Sequence, residues 1–182
     1  ITKYKNTRMN ILILGSGIVG ANLAKKLSEQ GKNVFLLDDM PNQLKDLSEK
    51  YDIKTIFDDP LNPTFYKNFK TNIDYFIAVT QSDEKNLITS KFAKEYLNAG
   101  KTIARIRNQN LISAENQNLL IESNQYLDHI ISPELEVANN IFEKIHMPGA
   151  FFSESLISDN FLIIGMKSSQ IFKHHTFVEI KK

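Results

Sequence analysis

Short apolar runs alternate along the chain with segments in which apolar residues recur at helical spacing. This alternation is typical of a parallel β-sheet whose strands are joined by crossover helices. The run at residues 75–79 is apolar throughout, as a strand covered on both faces should be. The predicted fold class is therefore α/β, a doubly wound parallel sheet with strands at residues 10–14, 34–38, 53–57, 75–79, 102–107 and 129–131.

Capping residues set the ends of the helices between these strands. Gly31 is the expected C-terminal cap of the first helix, and Gly100 follows the end of the fourth. Pro41 fits the first turn of the second helix, Asn62 precedes a proline at the start of the third, and Ser82 is the expected N-cap of the fourth. A polar helix that contains residues 119–121 is expected before the last strand.

The pattern changes after the sixth strand. Ser132 and Pro133 begin a helix with a wide apolar face that stops at Pro148. A β-hairpin follows, with strands at 151–157 and 161–166 around a turn at 158–160, and a further strand is expected at 176–180. This last piece is too small to fold by itself.

We expect four segments along the chain. Residues 1–8 are a leader or an expression remnant, 9–131 form the sheet domain, 132–149 form an assembly helix, and 150–182 form a partial α+β subdomain.

Composition narrows the classes of function. The chain has 182 residues, with 22 Lys and Arg against 21 Asp and Glu, so it lacks the basic field that gathers nucleic acid. No apolar run approaches the length of a membrane span of about 18 residues, so we expect no direct membrane insertion. The absence of cysteine excludes disulfides and thiolate catalysis and favours a cytosolic location.

A glycine-rich loop follows the first strand in the sequence ILILGSGIVG at residues 11–20. Gly15 permits a tight turn, Gly17 allows phosphate oxygens to approach the backbone at a helix N-terminus, and Gly20 allows close packing of helix on strand. Asp38 ends the second strand, where its carboxylate can accept ribose hydroxyl protons and repel a 2′-phosphate. The loop therefore predicts a Rossmann-like domain that binds NAD(H) or another adenosine nucleotide in preference to NADP.

Further polar groups follow the strands at the same edge. Asp39 and Asp58 end two neighbouring strands, and we count both among the candidate nucleotide-binding residues; with Asp38 and Asp59 they could also hold a hard cation, although no metal is expected. Arg105 and Arg107 share one face of the fifth strand, and spacing alone does not choose between them, or between ligand contact and a structural ion pair.

No catalytic set accompanies the loop. A dehydrogenase needs substrate groups and an acid or base beside the nicotinamide, and neither these nor a nucleophilic triad can be recognised. The four histidines show no metal-ligand spacing. The sequence favours a protein that binds a nucleotide without reacting it.

Several segments together resemble the TrkA family, the regulatory subunits of bacterial Trk and Ktr potassium uptake systems. They are ILILGSGIVG, LLD at 36–38, FIAVTQSDEKN at 76–86, IARIR at 103–107, HIISPE at 129–134 and MPGA at 147–150. The resemblance implies an RCK domain that binds NAD(H) or ATP/ADP and assembles as a homo-oligomer, a dimer that builds a tetrameric or larger ring. It further implies a cytoplasmic protein held at the membrane by a potassium transporter subunit, with residues 132–146 as the crossover helix between protomers. The resemblance favours Arg105 over Arg107 as a nucleotide contact. The nucleotide contacts that it implies are Gly15, Ser16, Gly17, Ile18, Val19, Asp38, Val79, Thr80 and Arg105.

One segment departs from the family pattern. After the third strand the family usually has a glycine, where this chain has Asp58, Asp59 and Pro60. The chain also has a single copy of a unit that the family commonly repeats. Two alternatives to a nucleotide-sensing regulator therefore remain: a small NAD-dependent oxidoreductase, and a structural assembly module with a degenerate pocket.

Overall fold

A computed structural model describes residues 8–112, 126–146, 150–155 and 162–166. The chain divides into two compact units, residues 1–133 and residues 134–182. Within the described residues, no helix combines the length and the apolar character needed to cross a membrane.

The first unit contains one sheet of six parallel strands, which confirms the predicted fold class. The strands are β1 (Asn10–Leu14), β2 (Asn33–Asp38), β3 (Ile53–Phe57), β4 (Tyr75–Ala78), β5 (Lys101–Arg105) and β6 (His129–Ile131). Their order across the sheet is β3-β2-β1-β4-β5-β6. The order reverses between β1 and β4, and this is the place where open α/β sheets form a crevice beyond the carboxyl ends of their strands.

Helices connect these strands, and α2, α3 and α4 begin at the predicted signals. They are α1 (Ile18–Glu29), α2 (Pro41–Lys50), α3 (Pro63–Asn68), α4 (Asp83–Leu97) and α5 (Gln109–Ile112). The Asn62 side chain accepts a hydrogen bond from Thr64 N at 3.0 Å, and Ser82 Oγ accepts one from Lys85 N at 3.1 Å. Both are N-caps of the predicted kind.

The C-terminal ends of α1 and α4 differ in mechanism. Gly31 adopts φ +73° after α1, and Lys32 N donates to Leu27 O at 3.1 Å, as in a Schellman cap. In α4 the left-handed residue is Asn98, with φ +49°, and Gly100 follows the end of the helix as predicted. Gly100 packs closely on another segment, because a Cβ there would lie 2.9 Å from the carbonyl oxygen of Asp74.

Strand β5 ends earlier than predicted, at Arg105 rather than Arg107. The backbone N–H groups of Arg107 and Asn108 both donate to Asp83 Oδ2, at 2.9 and 2.8 Å. The carboxylate at the start of α4 therefore takes these donors away from a strand ladder, and Arg107 lies in the following loop.

The apolar residues of the strands cover both faces of the sheet. One face packs β1, β2 and β4 against α3 and α4, and its fully buried centre is Leu12, Leu14, Leu37, Tyr66 and Phe76. The other face packs the same strands against α1 and α2. Such two-sided burial accounts for the continuous apolar runs in the sequence.

The second unit contains α6 (Pro133–His146) and a hairpin of β7 (Ala150–Ser155) with β8 (Leu162–Met166). The two strands pair antiparallel, as predicted. The turn at 158–160, the helix at 119–121, the strand at 176–180 and nearly all of the leader lie outside the described residues. The four-segment division of the chain stays a prediction.

A carboxylate holds β6 against β5. Asp128 Oδ2 accepts from Thr102 N at 2.7 Å and lies 2.8 Å from Lys94 Nζ, while Oδ1 lies 2.9 Å from Lys101 Nζ. Burial alone would raise the pKa of Asp128, but the hydrogen bonds from Lys94, Lys101 and Thr102 hold that pKa well below its ordinary value of 3.8. The folded state therefore favours the ionised carboxylate.

We expect Asp128→Asn to lower the free energy of unfolding at pH 7 by about 1–3 kcal/mol, because charge-assisted hydrogen bonds are lost. Since the pKa of Asp128 is lower in the folded than in the unfolded state, its stabilisation is complete above the unfolded pKa, begins to be lost as the pH falls below that value, and is gone only below the folded pKa. Urea unfolding of both proteins between pH 7 and pH 3 measures this. If the difference in the free energy of unfolding between the two proteins does not shrink below about pH 4, the assigned hydrogen bonds of the Asp128 carboxylate are wrong.

Candidate functional site

A cleft of about 370 Å³ opens at the carboxyl ends of β1, β2 and β4. It lies where the strand order reverses, the position expected for a ligand in a doubly wound sheet. Its lining residues are Leu14, Gly15, Gly17, Asp38, Asp39, Met40, Gln43, Pro60, Thr80, Gln81 and Lys85.

The glycine loop between β1 and α1 forms the floor of the cleft, and each glycine meets a different constraint. Gly15 has φ +105°, and a Cβ there would lie 3.1 Å from Thr80 N. A Cβ at Gly20 would lie 1.8 Å from the carbonyl oxygen of Gly15. Gly17 has no neighbour within 4 Å of the corresponding position. Gly15 and Gly20 thus shape the loop, whereas Gly17 leaves open space.

The N-terminus of α1 faces this open space. Gly17 is the N-cap, so no side chain caps the first turn of the helix. The backbone N–H groups and the positive end of the helix dipole are therefore available to an anion. Ile18 and Val19 are 84% and 46% exposed and are not among the residues that line the cleft.

Asp38 ties the loop to the end of β2. One carboxylate oxygen accepts a hydrogen bond from Ser16 N, and the other accepts from Met40 N at 3.0 Å. The buried Ser16 also donates through Oγ to Gln43 Oε1 at 2.8 Å. Because a carboxylate has about four acceptor positions, Asp38 keeps capacity for ribose hydroxyls while its orientation is fixed by the backbone.

A buried asparagine that was not predicted from the sequence organises the opposite wall. Asn86 has no exposed surface; its Oδ1 accepts from Thr80 N at 3.0 Å and from Thr80 Oγ1 at 2.7 Å, and its Nδ2 donates to Arg105 O at 2.8 Å. It therefore couples the end of β4 to the end of β5. A signal was present, because Asn86, Thr89 and Ser90 form a buried polar stripe at helical spacing.

An ion pair joins the two sides of the cleft. Lys85 Nζ, in the first turn of α4, lies 3.2 Å from Asp39 Oδ2, just after β2. The hydrogen bond from Lys85 lowers the pKa of Asp39 against the opposing effect of burial. Lys85 was also absent from the residues predicted from sequence.

The acidic segment after β3 forms a turn that leads into α3. Asp58 Oδ1 accepts from Asp59 N at 2.8 Å, and Asp59 Oδ1 accepts from Leu61 N at 2.9 Å. The buried Tyr66 donates to Pro60 O at 2.9 Å, and burial raises its pKa. Pro60 lines the cleft, whereas Asp58 lines a neighbouring groove of about 260 Å³. Among the described residues, no group of three or more His, Asp or Glu side chains is placed to hold a metal ion.

The predicted site residues fall into three groups. Gly15, Gly17, Asp38, Asp39 and Thr80 line the cleft together. Ser16 belongs to the loop but does not line the cleft, and its N–H group donates to Asp38, which does. Those that do not line it are Ile18, Val19, Asp58, Val79 and Arg105.

Arg105 and Arg107 differ in position and in exposure to solvent. Arg105 ends β5 as a half-buried residue, and the guanidinium of the exposed Arg107 donates to the carbonyl of Gln81. The ligand contact of Arg105 stays a prediction.

Comparison with known proteins identifies relatives of most of the chain. A family model described as the TrkA-N domain matches residues 11–133. The Trk system potassium uptake protein TrkA of Haemophilus influenzae is 33% identical over 161 residues, which are 88% of this chain and 35% of that protein. The protein of the same name from Vibrio alginolyticus is 29% identical with the same coverage of 88% and 35%. The chain therefore spans about a third of the length of these curated relatives. The resemblance inferred from the sequence is confirmed.

Solved structures share the fold at low sequence identity. The TrkA-N domain of the inner membrane protein ybaL from Escherichia coli has a TM-score of 0.63 at 15% identity, with 76% of this chain and 97% of that chain covered. The GsuK channel bound to NAD has a TM-score of 0.60 at 17% identity, with coverage of 84% and 26%. These likenesses confirm the Rossmann-like architecture.

We expect Gly20→Ala to lower the free energy of unfolding by about 2–3 kcal/mol or more, because the new methyl group would overlap the backbone of Gly15. Gly17→Ala is the matched control, since its methyl group enters open space at φ −62° and costs less than about 1 kcal/mol as an N-cap change. Urea unfolding of the two variants distinguishes them. Equal losses of stability would refute the assigned contact.

Proposed function

The chain belongs to the TrkA-N domain family, and on that premise we propose that it is a nucleotide-sensing regulatory domain of a potassium uptake system. The curated relatives are named as Trk system potassium uptake proteins. In this role the cleft binds the nucleotide, and a membrane partner carries out the transport that the nucleotide regulates.

The observation that carries the proposal is the placement of Asp38 beside the glycine loop. Its carboxylate is oriented by Ser16 N and Met40 N at the edge of the cleft, next to the open space at Gly17. An adenosine nucleotide fits this arrangement, with its ribose at Asp38 and its phosphates at the N-terminus of α1. The ligand is NAD(H) or ATP/ADP, and a 2′-phosphate would be repelled by Asp38.

The role is regulatory rather than catalytic. The curated relatives carry the names of transport proteins and not of enzymes. A ligand regulates a partner when it binds two arrangements of the protein with different affinity. We propose that nucleotide binding biases the geometry between protomers, and that this bias reaches a potassium transporter at the cytoplasmic face of the membrane.

We expect NADH or ATP, at about 100 times its dissociation constant, to stabilise the chain by ~2.7 kcal/mol and to raise its melting temperature by several degrees. Gly17→Ala should change the melting temperature of the ligand-free protein by no more than a few degrees and lose most of the ligand-induced shift, because the methyl group occupies the space assigned to phosphate. Differential scanning fluorimetry measures both values. NADPH should produce a smaller shift than NADH.

Asp38→Ala should also abolish the shift, but it removes the acceptor of Ser16 N as well, so Gly17→Ala is the cleaner variant. If no adenine nucleotide changes the melting temperature of the original chain, the proposed function is wrong. Steady consumption of NADH with a substrate panel would favour an oxidoreductase instead.

Helix α6 supplies the surface that we assign to self-assembly. Its large apolar side chains are exposed: Leu135, Val137, Ile141 and Ile145 have 42%, 58%, 54% and 70% of their surfaces accessible. Apolar surface of this extent at helical spacing is typical of an interface. We propose that a second copy of the chain covers it and that the dimers build a tetrameric or larger ring.

We expect size-exclusion chromatography with light scattering to show at least a dimer. The double substitution Val137→Asp with Ile141→Asp should shift the chain toward the monomer, because it places two charges in the apolar face. Asn139→Asp, at an exposed position of the same helix, is the control and should leave the mass unchanged. A monomeric original chain, or a mass unaffected by the double substitution, would refute this role of α6.

A further inference from the structure

The ion pair between Lys85 and Asp39 lies across the path that a nucleotide would take. Asp39 follows β2, and Lys85 belongs to the helix that follows β4. Strand β1, with its glycine loop, lies between β2 and β4 in the sheet. The pair therefore connects the two walls of the cleft on either side of Gly15 and Gly17, and both of its members line that cleft.

We propose that Lys85 is a phosphate-binding residue of the cleft, and that Asp39 is the internal anion that holds its ammonium group until a phosphate displaces it. This inference rests on the proposed function and deepens it. It assigns Asp39 a role different from direct contact with the nucleotide.

The charges of the cleft support the assignment. Among the described residues that line it, Asp38 and Asp39 are acidic and Lys85 is the cationic side chain. A nucleotide brings several negative charges into the same space, and the N-terminus of α1 offsets only part of them. An ammonium group on a flexible stem with three donors can move from a carboxylate to a phosphate without any change in the backbone.

The exposure of the two side chains supports this exchange. The side chain of Asp39 is 48% exposed and that of Lys85 is 27% exposed, so water screens their attraction and the pair is weak. A phosphate group carries a larger charge than a carboxylate and competes favourably for the same donor. In the structure Lys85 pairs with Asp39, whereas the two oxygens of Asp38 accept from the backbone N–H groups of Ser16 and Met40.

The exchange makes ligand affinity depend on phosphate. A nucleoside without phosphate gains nothing from Lys85, whereas ADP, ATP and NADH each gain a charge-assisted hydrogen bond. Removing Asp39 should then strengthen binding of the phosphorylated ligands, since Lys85 would no longer be occupied.

Isothermal titration calorimetry of the full chain with adenosine, ADP, ATP and NADH tests the proposal. Lys85→Met should weaken binding of the three phosphorylated ligands by about tenfold or more and leave adenosine unchanged. Asp39→Asn should strengthen binding of the same ligands by about threefold, as expected for release from an exposed ion pair. The double variant should bind like Lys85→Met alone, because Asp39 acts through Lys85.

Lys45 and Glu49 provide matched controls. They form an exposed ion pair on α2, 3.9 Å apart, and neither lines the cleft. Lys45→Met and Glu49→Gln make the same changes of charge and should leave all four affinities within about twofold of the original, since exposed charges are screened by salt.

The outcomes separate this proposal from the proposed function. If the original chain binds nucleotides and Lys85→Met binds them equally well, the assignment of Lys85 is wrong and the nucleotide site stands. Weaker binding in Asp39→Asn would show that Asp39 contacts the ligand directly, and an equal loss for adenosine in Lys85→Met would show a role in shaping the cleft; either result overturns the proposal. If the original chain binds none of the four ligands, both proposals fail.

Discussion

The cleft depends on the contact between the first turn of α1 and the chain that leaves β1. The backbone at Gly20 lies so close to Gly15 that a Cβ would be 1.8 Å from its carbonyl oxygen, and Gly15 in turn lies against the backbone at Thr80. Three segments therefore meet through backbone atoms alone. This close approach brings the N-terminus of α1 to the carboxyl edge of the sheet, where its N–H groups can act on an anion.

Two polar side chains fix the walls around that contact. Asp38 joins the loop to the end of β2 through backbone donors, and the fully buried Asn86 joins the ends of β4 and β5 through Thr80 and the Arg105 carbonyl. Asn86 is buried, and a buried polar group must be hydrogen-bonded to be tolerated, so Asn86 specifies one arrangement of its neighbours. Asp38 is half-buried and is oriented by its two backbone donors. These two side chains therefore organise the edge of the sheet through contacts within the protein alone.

The strands, the helix starts and the glycine loop could be predicted because each depends on local chemistry: apolar runs, capping side chains and a backbone that only glycine permits. The end of β5, the cap at Asn98 and the role of Asn86 could not. The end of β5 and the role of Asn86 depend on partners distant in sequence, such as Asp83 for the N–H groups of Arg107 and Asn108. The cap at Asn98 is local, but it places a residue other than glycine in the left-handed conformation. Apolar periodicity predicts the buried face of a helix only where that face is apolar. The buried face of α4 is partly polar, so apolar periodicity does not indicate the role of Asn86.

In the proposed regulatory role, the charges of the cleft matter more for the response to ligand concentration than for tight binding. If an internal anion occupies the group that would bind phosphate, part of the binding energy goes into displacing it, and the apparent affinity falls by that amount. A sensor gains from this cost because its occupancy must follow the concentration of ligand instead of remaining saturated. The same exchange ties occupancy to movement of a side chain between the β2 and β4 sides of the sheet. The affinity for ligand then differs between the arrangement in which Lys85 is paired with Asp39 and the arrangement in which it is free for phosphate. Such a difference in affinity is required for transmitting a signal to a partner.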